Sequence, residues 1–134
     1  MRFMILIRSN ATSESDAMPE ESLIAAMAAY HEELAQAGVL LDANGLQPSA
    51  RGWRVRYRNG KGSIVDGPFA ETKELIAGYT MIQVPSREAA IEWTRRFPSP
   101  FALQDCEIEV RQVFELDDFP ASESVERFRA LGTA

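Results

Sequence analysis

Residues 66–74 hold the densest group of side chains in this sequence that could do chemistry. Three carboxylates, one hydroxyl and one ammonium group lie around a Gly-Pro bend; these residues are Asp66, Glu71, Thr72, Lys73 and Glu74. A carboxylate can accept a proton or bind a positively charged group, and loop residues of this kind commonly bind ligands. We therefore expect this segment to line a polar binding site.

Asp66 has two interpretations. An aspartate at the start of a turn can accept hydrogen bonds from the amides that follow it, and Gly67 before Pro68 has a restricted backbone. In that case the segment is a fixed bend, with Phe69 anchored in the core. A bend does not require an acidic and basic run such as 71–74, however, so the composition favours side chains that face a ligand.

His31 is the only histidine and the second candidate for acid–base chemistry. It borders the apolar stripe of the helix predicted around it, so it could face a cleft. A histidine with an ordinary pKa of about 6.5 can act as acid or base near neutral pH when a carboxylate orients it. Asp66 is the first partner to test. The alternative is a partly buried histidine bonded to backbone or water.

The charge balance disfavours a nucleic-acid partner. Fourteen basic and twenty acidic residues give a net charge of −6, which opposes a phosphate backbone. The one local basic run, Arg51 to Arg58, lies on a predicted strand. Its arginines are either solvated, paired between subunits, or available to an anionic small molecule, and Arg54 and Arg56 are the candidates for ligand binding.

Other kinds of site find little support in the sequence. One histidine and one cysteine give no cluster of metal ligands, the carboxylates lack calcium-loop spacing, and no phosphate loop or dinucleotide fingerprint is present. We therefore expect no metal and no organic cofactor. Cys106 is expected to be a small apolar residue on a strand. The apolar run Phe3–Ile7 is too short for a signal peptide or membrane span, so we expect a cytoplasmic protein.

Hydrophobic periodicity predicts the elements that would position these residues. An apolar stripe indicates a helix from about residue 23 to 34, with Pro19 at its first position and Gly38 ending it. Ser86 caps a second helix whose apolar face includes Phe97, and Val125 to Leu131 indicate a short third helix. The predicted strands are 2–8, 39–46, a hairpin from 53 to 65, 76–84 and 106–114.

This order predicts one α+β domain with a ferredoxin-like antiparallel sheet and helices on one face. The first strand is apolar on both faces, with Phe3 and Ile5 on one and Met4 and Leu6 on the other. The helices cover only one face, so the other requires a second copy of the chain. We therefore predict a homodimer with two-fold symmetry. The domain spans residues 1–115, and residues 116–134 form a C-terminal extension.

The segment 66–74, read as Asp-Gly-Pro-Phe-Ala-Glu-Thr-Lys-Glu and followed by Leu-Ile-Ala-Gly-Tyr, strongly resembles the signature of DGPF-type proteins in the YCII-related superfamily. The resemblance covers residues 1 to about 115, with further matches at 1–7, 30–34, 38–41 and 107–113. It implies a ferredoxin-like subunit that pairs into a dimeric α+β barrel. It also implies an association with extracytoplasmic-function sigma factors, which is a regulatory context, and a relationship to domains of dechlorinating enzymes.

Some shorter YCII-type relatives carry a histidine and aspartate pair that is proposed to be catalytic. His31 matches the position of that histidine. The aspartate would fall near Phe97–Pro98, where this chain has no carboxylate, so the pair is incomplete.

Two hypotheses follow. The first is a homodimeric small-molecule-binding protein, or a cofactor-independent enzyme, with a cleft at residues 66–74 and His31 or Asp66 as acid or base. The second is a non-catalytic regulatory or interaction module linked to transcription. A closed cleft with an ionisable pair favours the first hypothesis. An apolar face that stays exposed after dimerisation favours the second.

Overall fold

A computed structural model describes residues 1–100 and 105–132. The described part contains six strands, three α-helices and three short 3-10 turns, the turns at Ser49–Arg51, Thr72–Glu74 and Leu116–Asp118. The strands and helices are β1 Arg2–Arg8, α1 Glu21–Gln36, β2 Leu40–Gly45, β3 Trp53–Arg58, β4 Lys61–Asp66, β5 Ile76–Gln83, α2 Arg87–Arg95, β6 Ile108–Gln112 and α3 Glu123–Ala130.

Four strands form an antiparallel sheet in the order β2-β5-β1-β6, which confirms the ferredoxin-like α+β fold. The strand β1 is central and pairs with β5 on one side and β6 on the other. The hairpin β3–β4 forms a separate two-stranded sheet. It is inserted between β2 and β5, so residues 66–74 lead from this hairpin back into the main sheet.

The core lies between the main sheet and the helices α1 and α2. Ile5 from β1, Leu34 from α1 and Ile82 from β5 are fully buried, and Tyr30 and Ala90 join them. The helix-facing side of β1 holds every second residue, as the side-chain alternation of a strand requires. Full burial of each large aliphatic side chain stabilises the fold by about 1.5–3 kcal/mol.

The opposite face of the sheet also carries apolar side chains. Met4 and Leu6 of β1 lie opposite Met81 and Tyr79 of β5, and all four are half-buried. The predicted two-sided pattern of β1 is therefore confirmed. Pairing of two copies through this face stays a prediction.

Several local predictions are confirmed by backbone geometry. Gly38 follows α1 with a φ of +73°, which favours glycine, and the Ser86 side chain accepts a hydrogen bond from the amide of Ala89 at the start of α2. Gly78 lies where a Cβ atom would approach the carbonyl oxygen of Asn44 to 2.9 Å. The small residue is therefore needed where β5 passes β2.

Several boundaries differ from prediction. Helix α1 begins at Glu21, so Pro19 precedes the helix instead of opening it, and α2 ends at Arg95, before Phe97. Strand β6 is limited to Ile108–Gln112 because its pairing with β1 ends there. The prediction that Cys106 lies on a strand is therefore wrong, and its side chain is exposed.

The C-terminal helix is confirmed, and Ser122 caps it by accepting from the amide of Val125. The C-terminal extension is bonded to the main sheet near its first residues, where Arg2 of β1 donates to the carboxylate of Glu115 at 2.9 Å. That bond lowers the pKa of Glu115. Much of the apolar surface of the C-terminal helix nevertheless faces outward, because Phe128 is 55% exposed and Leu131 is 71% exposed.

Candidate functional site

The bend after β4 is fixed by close backbone packing. The amide of Gly67 donates to the carbonyl oxygen of Gly52 at 3.0 Å. A Cβ atom on Gly67 would overlap the carbonyl oxygen of Ser49, so only glycine fits there. The peptide bond that follows, Gly67–Pro68, is cis. The close approach of Gly67 to the loop around Ser49 gives this part of the motif a structural role.

A carboxylate and a hydroxyl from two other loops complete this packing. The amide of Phe69 donates to Ser49 Oγ at 3.1 Å, and Ser49 Oγ donates to Glu14 Oε2 at 2.5 Å. The amide of Ser49 also donates to the Glu14 carboxylate, with both oxygens at 3.1 Å. Sequence reasoning missed Glu14 and Ser49, since they lie 35 residues apart in unpatterned loops. The only signal was the polar character of the loop after β1.

The charged side chains of the motif take no part in this packing. Asp66, Glu71, Lys73 and Glu74 are exposed, and the structure gives their side chains no hydrogen bond or ion pair within residues 1–100 and 105–132. The interpretation of Asp66 as an acceptor for the following amides is therefore wrong, because those of Gly67 and Phe69 bond elsewhere. Thr72, which is half-buried, opens the short turn that leads to β5.

Backbone conformation also distinguishes this segment. Glu71 has a φ of 60°, in the left-handed region that a residue with a side chain seldom adopts. Such conformations cost about 1–3 kcal/mol each and occur often at ligand sites. The turn Thr72–Glu74 follows directly, so the left-handed residue sets the path of the backbone into this turn.

The two arginines predicted to bind ligand lie on the hairpin, on the side away from Asp66. The register pairs Arg54 with Val65 and Trp53 with Asp66, so Asp66 shares a face with the aromatic residues. Arg54 is nevertheless connected to the motif, because its guanidinium lies 3.9 Å from the centre of the Phe69 ring. Arg56 is exposed on the same face as Arg54. The structure therefore separates Asp66 from the two arginines.

The imidazole ring of His31, a residue of α1, lies between this helix and the sheet, and both of its nitrogens have hydrogen-bond partners. Nδ1 lies 2.7 Å from the carbonyl oxygen of Met27, so it must carry the proton and donate it. Nε2 lies 2.8 Å from Thr80 Oγ1, and in the neutral ring it accepts the hydroxyl proton. The expectation that Asp66 is the partner of His31 is wrong.

The position that the resemblance assigns to a catalytic aspartate does lie beside His31. The ring of Phe97 stands edge-on to the imidazole, with centroids 6.2 Å apart, and Tyr30 stands edge-on at 5.6 Å. An aromatic ring therefore occupies the place of the missing carboxylate. It cannot orient the imidazole or stabilise a positive charge as a carboxylate would.

A second polar cluster, missed by sequence reasoning, lies on the open face of the sheet. The Tyr79 hydroxyl donates to Asp42 Oδ2 at 2.8 Å, and the Asn44 amide donates to the Tyr79 hydroxyl at 3.1 Å. Strand alternation placed Tyr79 on the same face as Met81. Its partners follow only from the register of β2 against β5, which a sequence does not state.

Two concavities of the described residues lie away from the motif. One of about 170 Å³ lies between α2 and the strands β1 and β6, and one of about 320 Å³ lies beside α3. Within residues 1–100 and 105–132, no three His, Cys, Asp or Glu side chains come together as a metal site. No helix in the same ranges is long and apolar enough to cross a membrane.

Comparison with known proteins identifies a family for most of the chain. The family model described as the YCII-related domain matches residues 1–117. The chain is also similar to an uncharacterized protein of Rhizobium meliloti (strain 1021), with 29% identity over 86 residues that cover 64% of this chain and 69% of the relative. The matched family region contains the whole main sheet, the hairpin, α1, α2 and the bend at residues 66–74. The chain belongs to the YCII-related family.

Proposed function

We propose that the protein is a cytoplasmic homodimer of the DGPF type that binds a small polar molecule at residues 66–74. One observation carries this proposal: the bend is fixed by Gly67, the Phe69 amide and Ser49, whereas the motif's charged side chains are exposed and have no partner within the described residues. The fold does not need those side chains. Their concentration in one segment is explained by contact with a ligand.

The chemistry of the segment limits the kind of ligand. Asp66, Glu71 and Glu74 supply carboxylate oxygens, and an ionised carboxylate only accepts hydrogen bonds. A suitable ligand therefore offers donors, such as an ammonium or several hydroxyl groups, and carries little negative charge. Lys73 would donate to one acceptor group of the same molecule. The binding requires no organic cofactor.

The homodimer is supported by the open face of the main sheet. Met4, Leu6, Tyr79 and Met81 form an apolar centre there, and the helices pack on the other side. Two copies that meet through this face would remove these side chains from water, and a standard interface buries about 800 Å² per partner. The Asp42–Tyr79 pair would then lie inside the dimer, where its hydrogen bond satisfies both groups.

The environment of His31 argues against acid–base catalysis by this residue. Its two nitrogens bind a helix carbonyl and a buried threonine, and Phe97 occupies the place of an orienting carboxylate. A catalytic base must reach the proton that it removes. Asp66, which is exposed and unpaired among the described residues, is the remaining candidate if the bound molecule reacts.

A thermal-shift screen tests the proposal. The wild-type protein is scanned with amines, amino alcohols and polyols; a ligand at ten times its Kd stabilises a protein by about 1.4 kcal/mol, which is a shift of about 5 °C for a domain of this size. Asp66→Asn and Glu71→Gln should abolish the shift without lowering the Tm of the free protein. Glu92→Gln, an exposed carboxylate of α2, should leave it intact. A shift that survives both motif substitutions would place the site elsewhere.

A second candidate function is an interaction module linked to transcription. It is favoured by the hairpin β3–β4, which exposes Trp53, Tyr57 and Ile64. This surface would serve another protein if it stays exposed in the homodimer. If the homodimer covers this surface of the hairpin, binding of a small molecule is the simpler proposal.

A further inference from the structure

The hairpin β3–β4 has one apolar face that the described part of its own chain leaves exposed. The register places Val55 beside Ile64, and Trp53 and Tyr57 lie on the same side of the ribbon. Trp53 is 64% exposed, Tyr57 75% and Ile64 63%. A two-stranded hairpin with an uncovered apolar face is only marginally stable in water. A partner surface that covers this face would therefore stabilise the hairpin.

The C-terminal segment, residues 114–132, presents a second apolar surface. Phe114 packs against Phe119 with ring centres 5.0 Å apart, yet Phe114 is 71% exposed. Leu131, at the end of α3, is exposed to the same extent. An isolated helix of eight residues is not stable in water, so α3 also depends on packing.

These two surfaces lie at opposite ends of the main sheet in one chain. The hairpin joins the sheet where the amide of Ser9 bonds the carbonyl of Leu75, beyond the end of β1. The C-terminal segment leaves the sheet where the amide of Val113 bonds the carbonyl of Arg2, at the start of β1. The seven residues of β1 separate the ends by about 20 Å at 3.3 Å per residue.

The charges of the two surfaces are complementary. Residues 53–65 contain four cations and no carboxylate, whereas residues 114–132 contain five carboxylates and two arginines. The cations are Arg54, Arg56, Arg58 and Lys61, which share the face opposite the aromatic residues. Arg54 packs over the ring of Phe69, whereas Arg56, Arg58 and Lys61 are exposed. These three long side chains can reach round a narrow two-stranded ribbon, so they would form a charged rim around an apolar contact.

We propose that the hairpin of one copy docks on the C-terminal segment of a second copy of this chain. The inference rests on the homodimer of the proposed function. A two-fold axis that crosses the strands reverses their direction, so the hairpin end of one sheet meets the C-terminal end of the other. The contact forms twice in the dimer. Asp66 lies opposite Trp53 on the docking face, so the proposed ligand site lies at the edge of this contact.

Complementation between two variants tests the contact. The hairpin variant carries Trp53→Ser and Tyr57→Ser, and the C-terminal variant carries Phe114→Ser and Leu131→Ser. Each homodimer then has both contacts damaged, and we expect its dissociation constant to rise at least tenfold. A mixed dimer keeps one contact intact, the unmodified hairpin of one copy on the unmodified C-terminal segment of the other. Sedimentation analysis of the mixture should therefore show heterodimers at least tenfold tighter than either homodimer.

The possible outcomes separate this inference from the proposed homodimer. A dimer that neither variant weakens would overturn the docking contact and leave the sheet-to-sheet dimer intact. Weakened homodimers without preferred heterodimers would also overturn it, because the two surfaces would then not meet each other. A monomeric wild-type protein would overturn both proposals. If the hairpin variant loses its circular-dichroism spectrum, Arg58→Glu replaces it, since that residue is exposed. Met18→Ser, at a methionine that is 83% exposed, is the control and should change nothing.

Discussion

Nε2 of His31 lies 2.8 Å from the hydroxyl oxygen of Thr80, and this contact joins helix α1 to the central part of the sheet. Thr80 is buried and Nδ1 of the same ring is bonded to the carbonyl of Met27. The only histidine of the chain therefore has the surroundings of a structural residue. The match of His31 to the histidine of shorter YCII-type relatives suggested a catalytic role, whereas its contacts indicate that it stabilises the fold.

Thr80→Val should destabilise the fold without affecting ligand binding. Valine keeps the shape but removes the hydroxyl, so Nε2 of His31 loses its partner, which costs about 1–3 kcal/mol. Urea unfolding measures the change. Ser63→Ala is the control, because its exposed hydroxyl lies 3.4 Å from a backbone carbonyl. A free energy of unfolding that is equal in Thr80→Val and wild type would show that the bond contributes nothing.

Gly67→Ala should be among the most damaging single substitutions in the motif. The added methyl group overlaps the Ser49 carbonyl oxygen, and the backbone there cannot give way without breaking the bond to Gly52. We expect a loss of more than about 2 kcal/mol from overpacking. Gly45→Ala is the matched control, since nothing lies within 4 Å of the point where its added methyl group would stand. Similar Tm values for the two variants would contradict the close packing.

Ser49→Ala should loosen the bend locally. The substitution leaves the Phe69 amide without an acceptor and the Glu14 carboxylate without its shortest hydrogen bond. We expect a loss of about 1–2 kcal/mol and faster hydrogen exchange of the Phe69 amide. The amide of Ile82, in the core of the sheet, serves as the internal reference. Exchange at Phe69 that is as slow as in wild type would rule out Ser49 as the main support of the bend.

Tyr30→Phe should change the stability of the protein at high pH. Burial raises the pKa of Tyr30 from 10.0 to about 12, so the folded state holds this proton more tightly than the unfolded chain. That contribution is fully present below pH 10 and is lost as the pH rises through about 12. Phenylalanine has no such proton, so the variant should lose less stability than wild type between these values.

The same substitution removes the 2.7 Å bond from the Tyr30 hydroxyl to the carbonyl of Trp93, which lowers stability at neutral pH. Chemical denaturation at a series of pH values separates the two effects. Tyr57→Phe, at an exposed tyrosine, should lose as much free energy of unfolding at alkaline pH as the wild type does. Parallel pH curves for Tyr30→Phe and wild type would contradict a raised pKa.

The fold followed from patterns that act over short distances in the chain. The alternation of Phe3, Met4, Ile5 and Leu6 predicted a strand with two apolar faces, and Gly38 and Ser86 predicted where helices end and begin. These signals depend on backbone preference and side-chain periodicity, which a sequence states directly. The resemblance at residues 66–74 likewise predicted the family to which the chain belongs.

The site depended on contacts between distant segments. Glu14 and Ser49 meet at the bend, His31 meets Thr80, and Tyr79 meets Asp42, although 35 to 49 residues separate each pair. The sequence by itself determined the strands, the helices and a segment rich in charged side chains. Only the tertiary structure decided which of the described side chains are bonded and which are left exposed, because register and loop packing place residues that no local pattern relates.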